Sequence, residues 1–381
     1  MHRYPGDVPR AEQTISRRRV LAGVGATTAL YACSRNALDA AKPKLGVAVV
    51  GIGGLSLSQI IPALRQTKRC YLAGLVSSDV AKLRDIGARN DVPRSGQFTY
   101  DEFDKIAENG DIDFVYIAVP NALHAEFAVR AARAGKHVFC EKPLAVSVGQ
   151  CRTMISACKE AGTYLATAYR LQFEPHYLEM IRLAKEAVFG PVRIIQAEIG
   201  YPIGDSRWRL QRSLAGGGAL IEMGIYAVQA ARHLAGGEPS EVVGLSSTND
   251  QDRFQDVEQS ALWTMAFPSG VIAHCAASYS TGMDRLRVGA ADGFFAMEPA
   301  YSYDGLRGTT SKGPMDMPQI NQFTAEMDEF ARCIQEQVPP TRGSAEEALH
   351  DVEIVTRIYA SIAERRHVSL APIRPNRAPW Y

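Results

Sequence analysis

The sequence predicts an α/β fold in two parts: a parallel sheet with helices on both faces, then an α+β unit with an open, mostly antiparallel sheet. From about Lys44 onward, short apolar runs alternate with helical patterns, which is typical of parallel sheets. From about Leu171 the strand-like runs lengthen, and residues 268–270 (Pro-Ser-Gly) separate two of them as a hairpin turn would. We therefore place one domain at residues 42–170 and a second at residues 171–381.

Composition excludes several classes of protein. A chain of 381 residues is long enough for about two domains. Its hydrophobic share of 46% and net charge of +1 are ordinary for a globular protein and give no sign of a nucleic-acid partner. The seven cysteines have no C-x-x-C spacing, and no His/Cys cluster has the spacing of metal ligands. We expect buried free thiols and no metal.

The N-terminus has the pattern of an export signal. Arg17, Arg18 and Arg19 precede a small-residue apolar run at residues 20–32 that is too short to span a bilayer. The run from Ser16 resembles a twin-arginine signal, which serves proteins that fold before export. We assign residues 1–33 to this leader, and expect a bacterial periplasmic protein with no membrane attachment after cleavage. The alternatives are a plain basic tail and a lipoprotein cleavage site, and Tyr31 fits the second poorly.

A glycine-rich turn follows the first apolar run, residues 45–50. Gly51 allows a tight turn, and Gly53 lets the backbone approach a pyrophosphate at the helix N-terminus. The third small position of the G-x-G-x-x-G pattern is Ser56. Its place at the start of a βα series indicates a Rossmann dinucleotide-binding domain. The expected pyrophosphate contacts are Gly51, Ile52, Gly53, Gly54 and Leu55.

The end of the second strand discriminates between cofactors. An NAD-preferring site has an acidic residue here for the ribose 2′-hydroxyl, but Val76 is followed by Ser77 and Ser78, with Lys82 one helical turn further on. Hydroxyls and an ammonium group suit a 2′-phosphate. Asp79 is expected to cap the following helix. The sequence therefore predicts NADP.

Charged residues end a later strand. Residues 114–119 and 137–140 read as strands, and the second leads into Glu141, Lys142 and Pro143. Because proline has no N–H for the sheet ladder, the strand must end near it. In a parallel sheet ligands bind at the carboxyl ends of the strands. Glu141 and Lys142 are therefore either site residues or an ordinary solvated strand end.

Three motifs, taken together, resemble the Gfo/Idh/MocA oxidoreductase family. They are residues 51–53 (Gly-Ile-Gly), 120–124 (Pro-Asn-Ala-Leu-His) and 135–143 (Gly-Lys-His-Val-Phe-Cys-Glu-Lys-Pro), in this order and spacing. The resemblance covers nearly the whole mature chain and is greatest to the glucose–fructose oxidoreductase branch of the family. It implies tightly bound NADP, aldoses such as glucose or xylose as substrates, and a homodimer or homotetramer formed through the exposed sheet face.

The resemblance also implies which residues bind the cofactor. Near the adenosine phosphate it adds Tyr100 to Ser77 and Lys82. The remaining positions lie at strand ends or in the segment that closes over the cofactor: Pro120, Asn121, His124, Glu141, Lys142, Arg170, Trp208 and Arg209.

The predicted catalytic group combines Lys142 with two residues of the second domain. Glu222 and Tyr226 follow three glycines at residues 216–218, and their i, i+4 spacing places both on one helix face. The resemblance implies that Tyr226 is the general acid/base, that Lys142 lowers its pKa, and that a cis peptide precedes Pro143. Without the resemblance, a glycine linker before an ordinary amphipathic helix is an equally good interpretation.

The implied reaction is oxidation of a cyclic aldose at C1 to the aldonolactone. Glu222 stands where the glucose–fructose oxidoreductase branch has Asp, and the longer carboxylate favours a second aldose over a ketose as hydride acceptor. One alternative is an aldose 1-dehydrogenase with exchangeable NADP. Another is a catalytically inactive sugar-binding protein, which the combination of Lys142, Glu222 and Tyr226 disfavours.

Overall fold

A computed structural model describes residues 43–204 and 207–370. The leader predicted at residues 1–33 lies outside the described residues. The first sheet is entirely parallel and has the order β3-β2-β1-β4-β5-β6, so the strand order reverses between β1 and β4. Its strands are β1 (Leu45–Val50), β2 (Cys70–Val76), β3 (Gln97–Phe98), β4 (Phe114–Ile117), β5 (His137–Glu141) and β6 (Leu165–Ala168).

Helices cover both faces of this sheet because its strands are apolar on both sides. Along β1, Val47 and Val49 face one layer, while Ala48 and Val50 face the other. A π turn (Ser56–Ile60) leads into the first helix. The helices of the chain, within the described ranges, are α1 (Ile61–Leu64), α2 (Val80–Arg89), α3 (His124–Arg133), α4 (Val148–Ala161), α5 (Pro175–Lys185), α6 (Arg212–Ala215), α7 (Ile225–Ala235), α8 (Gln322–Glu336) and α9 (Ala345–Glu364).

The second sheet is open and mostly antiparallel. Its order is β14-β13-β12-β11-β7-β10-β9-β8-β15, and β7 with β10 is its one parallel pair within the described ranges. One face packs on α7 and α9 around Trp263. Its strands are β7 (Val192–Gly200), β8 (Glu241–Ser247), β9 (Ser260–Ala266), β10 (Ile272–Ser278), β11 (Met283–Ala290), β12 (Gly293–Met297), β13 (Gly308–Thr310), β14 (Gly313–Met315) and β15 (Val368–Ser369).

Helix α8 comes late in the chain but packs on the first sheet. Phe330 stacks on Phe139 with ring centroids 5.0 Å apart and meets Phe114 edge to face at 5.3 Å. Met327 is fully buried in the same core. Helices α1, α2 and α8 therefore form one layer on this face of the sheet. Helix α8 belongs to residues 171–381, the segment that the sequence assigns to the second domain.

The predicted fold class is confirmed, with small differences at strand ends. The strand expected over residues 114–119 stops at Ile117, and β5 runs one residue further than expected, through Glu141. The six cysteines within the described ranges are free and buried, as predicted. The stretch Arg212–Ala235 is long and apolar enough to cross a membrane, but 89% of its apolar window is buried inside the protein.

Candidate active site

The carboxyl ends of β1 and β4 open into a cavity of about 750 Å³. This is the crevice where the strand order reverses, the usual ligand position in open parallel sheets. All of the cofactor-binding and catalytic residues named in the sequence analysis line it. The second domain adds lining residues that the sequence did not reveal, among them Tyr201, Met283 and Tyr303.

The glycine turn after β1 leaves room for a ligand. Gly51 has a φ of +94°, and an added Cβ there would lie 2.6 Å from the carbonyl oxygen of Ala118. At Gly53 and Gly54 an added Cβ would meet open space. Ser56 is buried and donates its hydroxyl to the carbonyl oxygen of Gly51 at 2.5 Å, so serine stabilises the turn from the third small position.

The end of the cavity beyond β2 has polar groups that suit a 2′-phosphate. Ser77 and Lys82 line it, and the Lys82 ammonium donates to the carbonyl oxygen of Ile52 at 3.3 Å. Asp79 also lines the cavity, but its carboxylate accepts a hydrogen bond from the Lys82 backbone N–H at 3.0 Å and caps α2 as expected. Tyr100 packs edge to face on Phe127, with ring centroids 4.9 Å apart.

Asn121 and His124 line the cavity, but the protein itself engages their polar groups. Asn121 donates to the carbonyl oxygen of Ala215 at 2.9 Å, and so ties the first sheet to the segment before the three glycines. The His124 ring nitrogens lie 2.9 Å and 3.0 Å from the carbonyl oxygens of Pro143 and Val119. Burial lowers the pKa of His124 to about 4. The protein therefore holds both residues in place at the cavity wall, and their contact with a cofactor stays a prediction.

Arg170 also forms hydrogen bonds within the protein and connects separate segments around the cavity. Its guanidinium donates to Gln322 at 2.6 Å and to the backbone carbonyl oxygens of Ser302 and Tyr301. It thereby joins the end of β6 to α8 and to the cavity wall that contains Tyr303. Asp284 holds the same wall by accepting hydrogen bonds from three of its groups.

Lys142 extends from the end of β5 to the second domain. The Lys142–Pro143 peptide is cis, as the resemblance implied. The Lys142 ammonium donates to the backbone carbonyl oxygen of Glu222 at 2.5 Å and lies 3.9 Å from its carboxylate. It also sits 4.8 Å from the centre of the Tyr226 ring. Lys142 thus lines the cavity with its side chain largely buried, so the strand end is not solvated.

Glu222 is a buried carboxylate in which only one oxygen has a hydrogen-bond partner among the described residues. Its Oε1 accepts a hydrogen bond from Arg209 at 3.1 Å. Burial acts to raise the pKa of Glu222, but Lys142 and Arg209 outweigh it, so the pKa lies below its usual value. The second oxygen, Oε2, is buried and has no hydrogen-bond partner among the described residues. An ionised carboxylate oxygen in this position suits a hydroxyl donor.

Tyr226 does not have the lowered pKa that was expected from Lys142. Burial raises the pKa of Tyr226 well above its usual value, and the nearby cation that opposes this most is Arg170. The Lys142 ammonium lies against the face of the ring and is engaged by Glu222. In the structure as it stands, Tyr226 keeps its proton at neutral pH.

The local backbone explains how Glu222 and Tyr226 come to share the cavity. Glu222 lies within a π turn (Leu220–Gly224) that precedes α7, a widened helical geometry frequent at functional sites. The carboxylate of Glu258 fixes the start of this turn by accepting from the backbone N–H groups of Gly218 and Leu220 at 3.0 Å. Glycine is required at 218, because an added Cβ would lie 2.0 Å from the backbone oxygen of Glu258.

The groups that line the cavity fit a dinucleotide. It combines an open glycine turn at a helix N-terminus, hydroxyls and an ammonium beyond β2, and the unpartnered oxygen of Glu222 at the end that contains Lys142. Trp208 and Arg209 line it as well, with the guanidinium 4.4 Å from the centre of the indole ring. Across the described ranges, no three His, Cys, Asp or Glu residues are grouped so as to hold a metal ion.

The sequence and the fold are similar to those of known proteins. Residues 45–169 match the model of an oxidoreductase family with an NAD-binding Rossmann fold, and residues 177–295 match the C-terminal domain of the Gfo/Idh/MocA proteins. The crystal structure of an aldose-aldose oxidoreductase from Caulobacter crescentus, complexed with glycerol, is 40% identical with a TM-score of 0.83; the match covers 86% of this chain and all of that one.

Two relatives found by sequence similarity are also sugar dehydrogenases by name. A D-xylose 1-dehydrogenase [NADP(+)] of Haloarcula marismortui is 31% identical over 82% of this chain and 89% of its own length. A D-xylose 1-dehydrogenase (NADP(+)) 2 of Haloferax volcanii is 28% identical over 82% of this chain and 96% of its own. The chain therefore belongs to the Gfo/Idh/MocA oxidoreductase family.

Proposed function

We propose that the protein oxidises a cyclic aldose at C1 to the aldonolactone with tightly bound NADP, and returns the hydride to a second aldose, which becomes an alditol. The observation that carries this proposal is the meeting of Lys142, Glu222 and Tyr226 at one end of a dinucleotide-sized cavity. The names of the aldose-aldose oxidoreductase and of the xylose dehydrogenases support sugars as the substrate class.

Each residue at this end has a distinct task. Glu222 Oε2 accepts a hydrogen bond from a sugar hydroxyl and orients the ring. Lys142 donates to the C1 hydroxyl oxygen and eases loss of its proton. Tyr226 receives this proton as a tyrosinate, the form that the positive charge of a bound oxidised nicotinamide would favour, and returns it to the acceptor sugar. Bound oxidised nicotinamide supplies the hydride acceptor and a positive charge. Because Tyr226 retains its proton without that charge, it is best suited to act as the acid when an aldose is reduced.

The test uses purified mature protein, desalted and given a single aldose such as xylose or glucose without added nucleotide. Equal amounts of aldonate and alditol are expected, because each hydride removed from one sugar is delivered to another. Glucose supplied with fructose provides a matched comparison, and we expect less ketose reduction than aldose reduction. Aldonate without alditol would contradict the hydride return.

The second candidate is an NADP-dependent aldose 1-dehydrogenase with exchangeable cofactor. The two xylose dehydrogenase relatives favour it, and it requires the same catalytic residues. It predicts no product from the desalted protein, and turnover once NADP is added in excess. A protein that binds aldoses but forms no product under either condition would be an inactive sugar-binding protein.

Lys82→Ala is expected to weaken NADP binding by roughly 10- to 100-fold, the contribution of about one charged hydrogen bond to the 2′-phosphate. NAD binding should change little, because NAD has no phosphate at that position. Isothermal titration of nucleotide-free protein with each nucleotide measures this. Lys105→Ala is the matched control, since Lys105 is an exposed lysine paired with Glu102. Equal binding of both nucleotides by the wild type would contradict the NADP preference.

We propose further that the protein forms a homodimer or homotetramer through the outer face of the second sheet. Four large apolar side chains are exposed there on neighbouring strands, and Leu245 is 69% exposed. In register, Leu245 lies opposite Leu262, and Ile194 lies opposite Ile272. Because a two-fold interface brings the same patch of both subunits together, an apolar patch can be buried against its own copy.

Leu262→Asp places a charge in the middle of this face and should lower the molar mass measured by light scattering, to the monomer from a dimer or to the dimer from a tetramer. Val338→Asp is the control, because Val338 is also an exposed apolar residue but lies outside the sheet. An unchanged mass for Leu262→Asp would exclude this face as the subunit interface.

We also propose export to the periplasm, on the strength of the arginine pair and apolar run in residues 1–33. Replacing Arg17 and Arg18 with lysine keeps the charge but removes the twin-arginine pattern. We expect the variant to accumulate in the cytoplasm at full length, whereas the wild type is recovered, shortened, from the periplasm. Recovery of full-length wild type in the cytoplasm would contradict export.

A further inference from the structure

Three buried side chains from distant parts of the chain meet beside the catalytic end of the cavity. Tyr116 on β4 has its hydroxyl 2.9 Å from the Oε1 of Glu141 on β5 and 3.0 Å from the Oε1 of Glu326 on α8. Glu326 is 0% exposed, while Glu141 lines the cavity next to Lys142. The proposed chemistry assigns no task to Tyr116 or Glu326.

The number of protons in this group follows from its geometry. A tyrosine hydroxyl has one hydrogen, yet Tyr116 lies within hydrogen-bond distance of two carboxyl groups. If both were ionised, one carboxylate oxygen would face the phenol oxygen without a proton between them. A single extra proton resolves this: a neutral Glu326 donates to Tyr116, and Tyr116 donates to an ionised Glu141.

The surroundings favour the extra proton on Glu326. The Oε2 of Glu326 is buried without a hydrogen-bond partner among the described residues. Burial raises the pKa of Glu326 well above its usual value, and the charge of Glu141 adds to this. Burial also raises the pKa of Glu141, whereas Lys142 and Arg170 oppose the change. The other titratable neighbours, Tyr226, Tyr303 and Cys140, are neutral groups with raised pKa values.

We propose that Glu141, Tyr116 and Glu326 form a proton store whose shared proton is held more tightly when the nicotinamide ring is reduced than when it is oxidised. The inference rests on the proposed function in that it takes the nicotinamide ring to lie beside Lys142 and Glu141. The oxidised ring carries a positive charge that favours a second ionised carboxylate. That charge disappears on reduction.

Such a store matches the stoichiometry of a reaction that keeps its cofactor. Oxidation of an aldose breaks the C1–H and O–H bonds, sending a hydride to the nicotinamide and a proton to the protein. The second half-reaction returns one hydride and one proton to the acceptor aldehyde, forming C–H and O–H bonds. Tyr226 takes the proton from the sugar, and the carboxyl pair, whose proton affinity rises on reduction, keeps its own shared proton for as long as the hydride is retained. Glu326 and Tyr116 are positioning residues in this scheme, because they act through Glu141.

Infrared spectroscopy of the holoenzyme tests the store directly through the carbonyl stretch of a buried protonated carboxyl group. Borohydride reduces the bound nucleotide without requiring any sugar-oxidising activity. We expect the band in both forms, and expect its midpoint in a titration from about pH 5 to about pH 10 to be higher by roughly one pH unit in the reduced form. No band in either form, or equal midpoints, would overturn the proposal.

Glu326→Gln keeps the shape of the side chain but removes the ionisable group, so the band and its dependence on redox state should both disappear. Glu336→Gln, a surface position on the same helix, should retain the wild-type band and both midpoints. Retention of the redox-dependent band in Glu326→Gln would assign the proton elsewhere and overturn the proposal. If the midpoint shifts as expected but sugars yield no product, the proposed aldose chemistry fails while the proton store stands.

Discussion

We expect Tyr226→Phe to lower kcat/KM for aldose oxidation by roughly 10²- to 10⁴-fold, the usual contribution of a positioned general acid/base. The change removes only the hydroxyl. The aromatic contacts of Tyr226 with Tyr169 at 6.0 Å and Tyr301 at 6.3 Å involve the rings and remain available to phenylalanine. Nucleotide content should therefore stay at the wild-type level, and the effect should appear in the hydride-transfer step.

Single-turnover reduction of the bound nucleotide by excess aldose measures that step. The matched control is Tyr279→Phe, because Tyr279 is as buried as Tyr226 and its hydroxyl has no hydrogen-bond partner in the described structure. Its side chain does not line the cavity, and we expect near wild-type turnover. A Tyr226→Phe variant with wild-type turnover would remove Tyr226 from the mechanism and leave Lys142 as the remaining candidate for proton transfer.

The largest expected loss of stability comes from Arg232, a fully buried cation on the helix that carries Tyr226. Arg232 pairs with Asp351 on α9 and with Glu238, whose oxygen accepts at 2.7 Å. Arg232→Met should lower the free energy of unfolding by about 3–5 kcal/mol, because it leaves a buried carboxylate without its cation. Chemical denaturation with two optical probes measures this change.

The pH dependence of the Arg232→Met defect has a defined sign. Burial raises the pKa of Asp351, and Arg232 is the cation that opposes the rise. Without it, Asp351 takes up a proton more readily in the folded state, so the stability deficit should shrink as the pH falls. Arg182→Met is the control, because Arg182 is exposed on α5 and its pairs with Glu179 and Glu186 are surface pairs. Such pairs contribute below about 1 kcal/mol.

Local patterns in the sequence predicted most of the cofactor end. Turn glycines, helix caps and strand ends are dictated by neighbouring residues, so the roles of Gly51 and Asp79 followed from the sequence, whereas the cis peptide before Pro143 was implied by the family resemblance. The i, i+4 spacing of Glu222 and Tyr226 correctly predicted that both line the same cavity. The regular α-helix that this prediction assumed is replaced by a π turn at Glu222.

Long-range electrostatics could not be read in the same way. The sequence analysis named Lys142 as the cation that lowers the pKa of Tyr226. In the folded protein Arg170 opposes the rise of that pKa most, and the Lys142 ammonium donates to Glu222. Glu258 and Glu326 appear in the sequence as ordinary acidic residues. Their roles arise from backbone N–H groups and a tyrosine that are far away along the chain, and no local pattern signals such contacts.

The late position of α8 has a consequence for biosynthesis. Until residues 322–336 have left the ribosome, one face of the nucleotide-binding sheet lacks the cover that Phe330 gives to Phe114 and Phe139. The gain from burying such aromatic surface, about 1.5–3 kcal/mol for each side chain, is then missing from the nascent chain. We therefore expect the dinucleotide to bind after translation is nearly complete, to an essentially finished chain rather than to an N-terminal half that folds first.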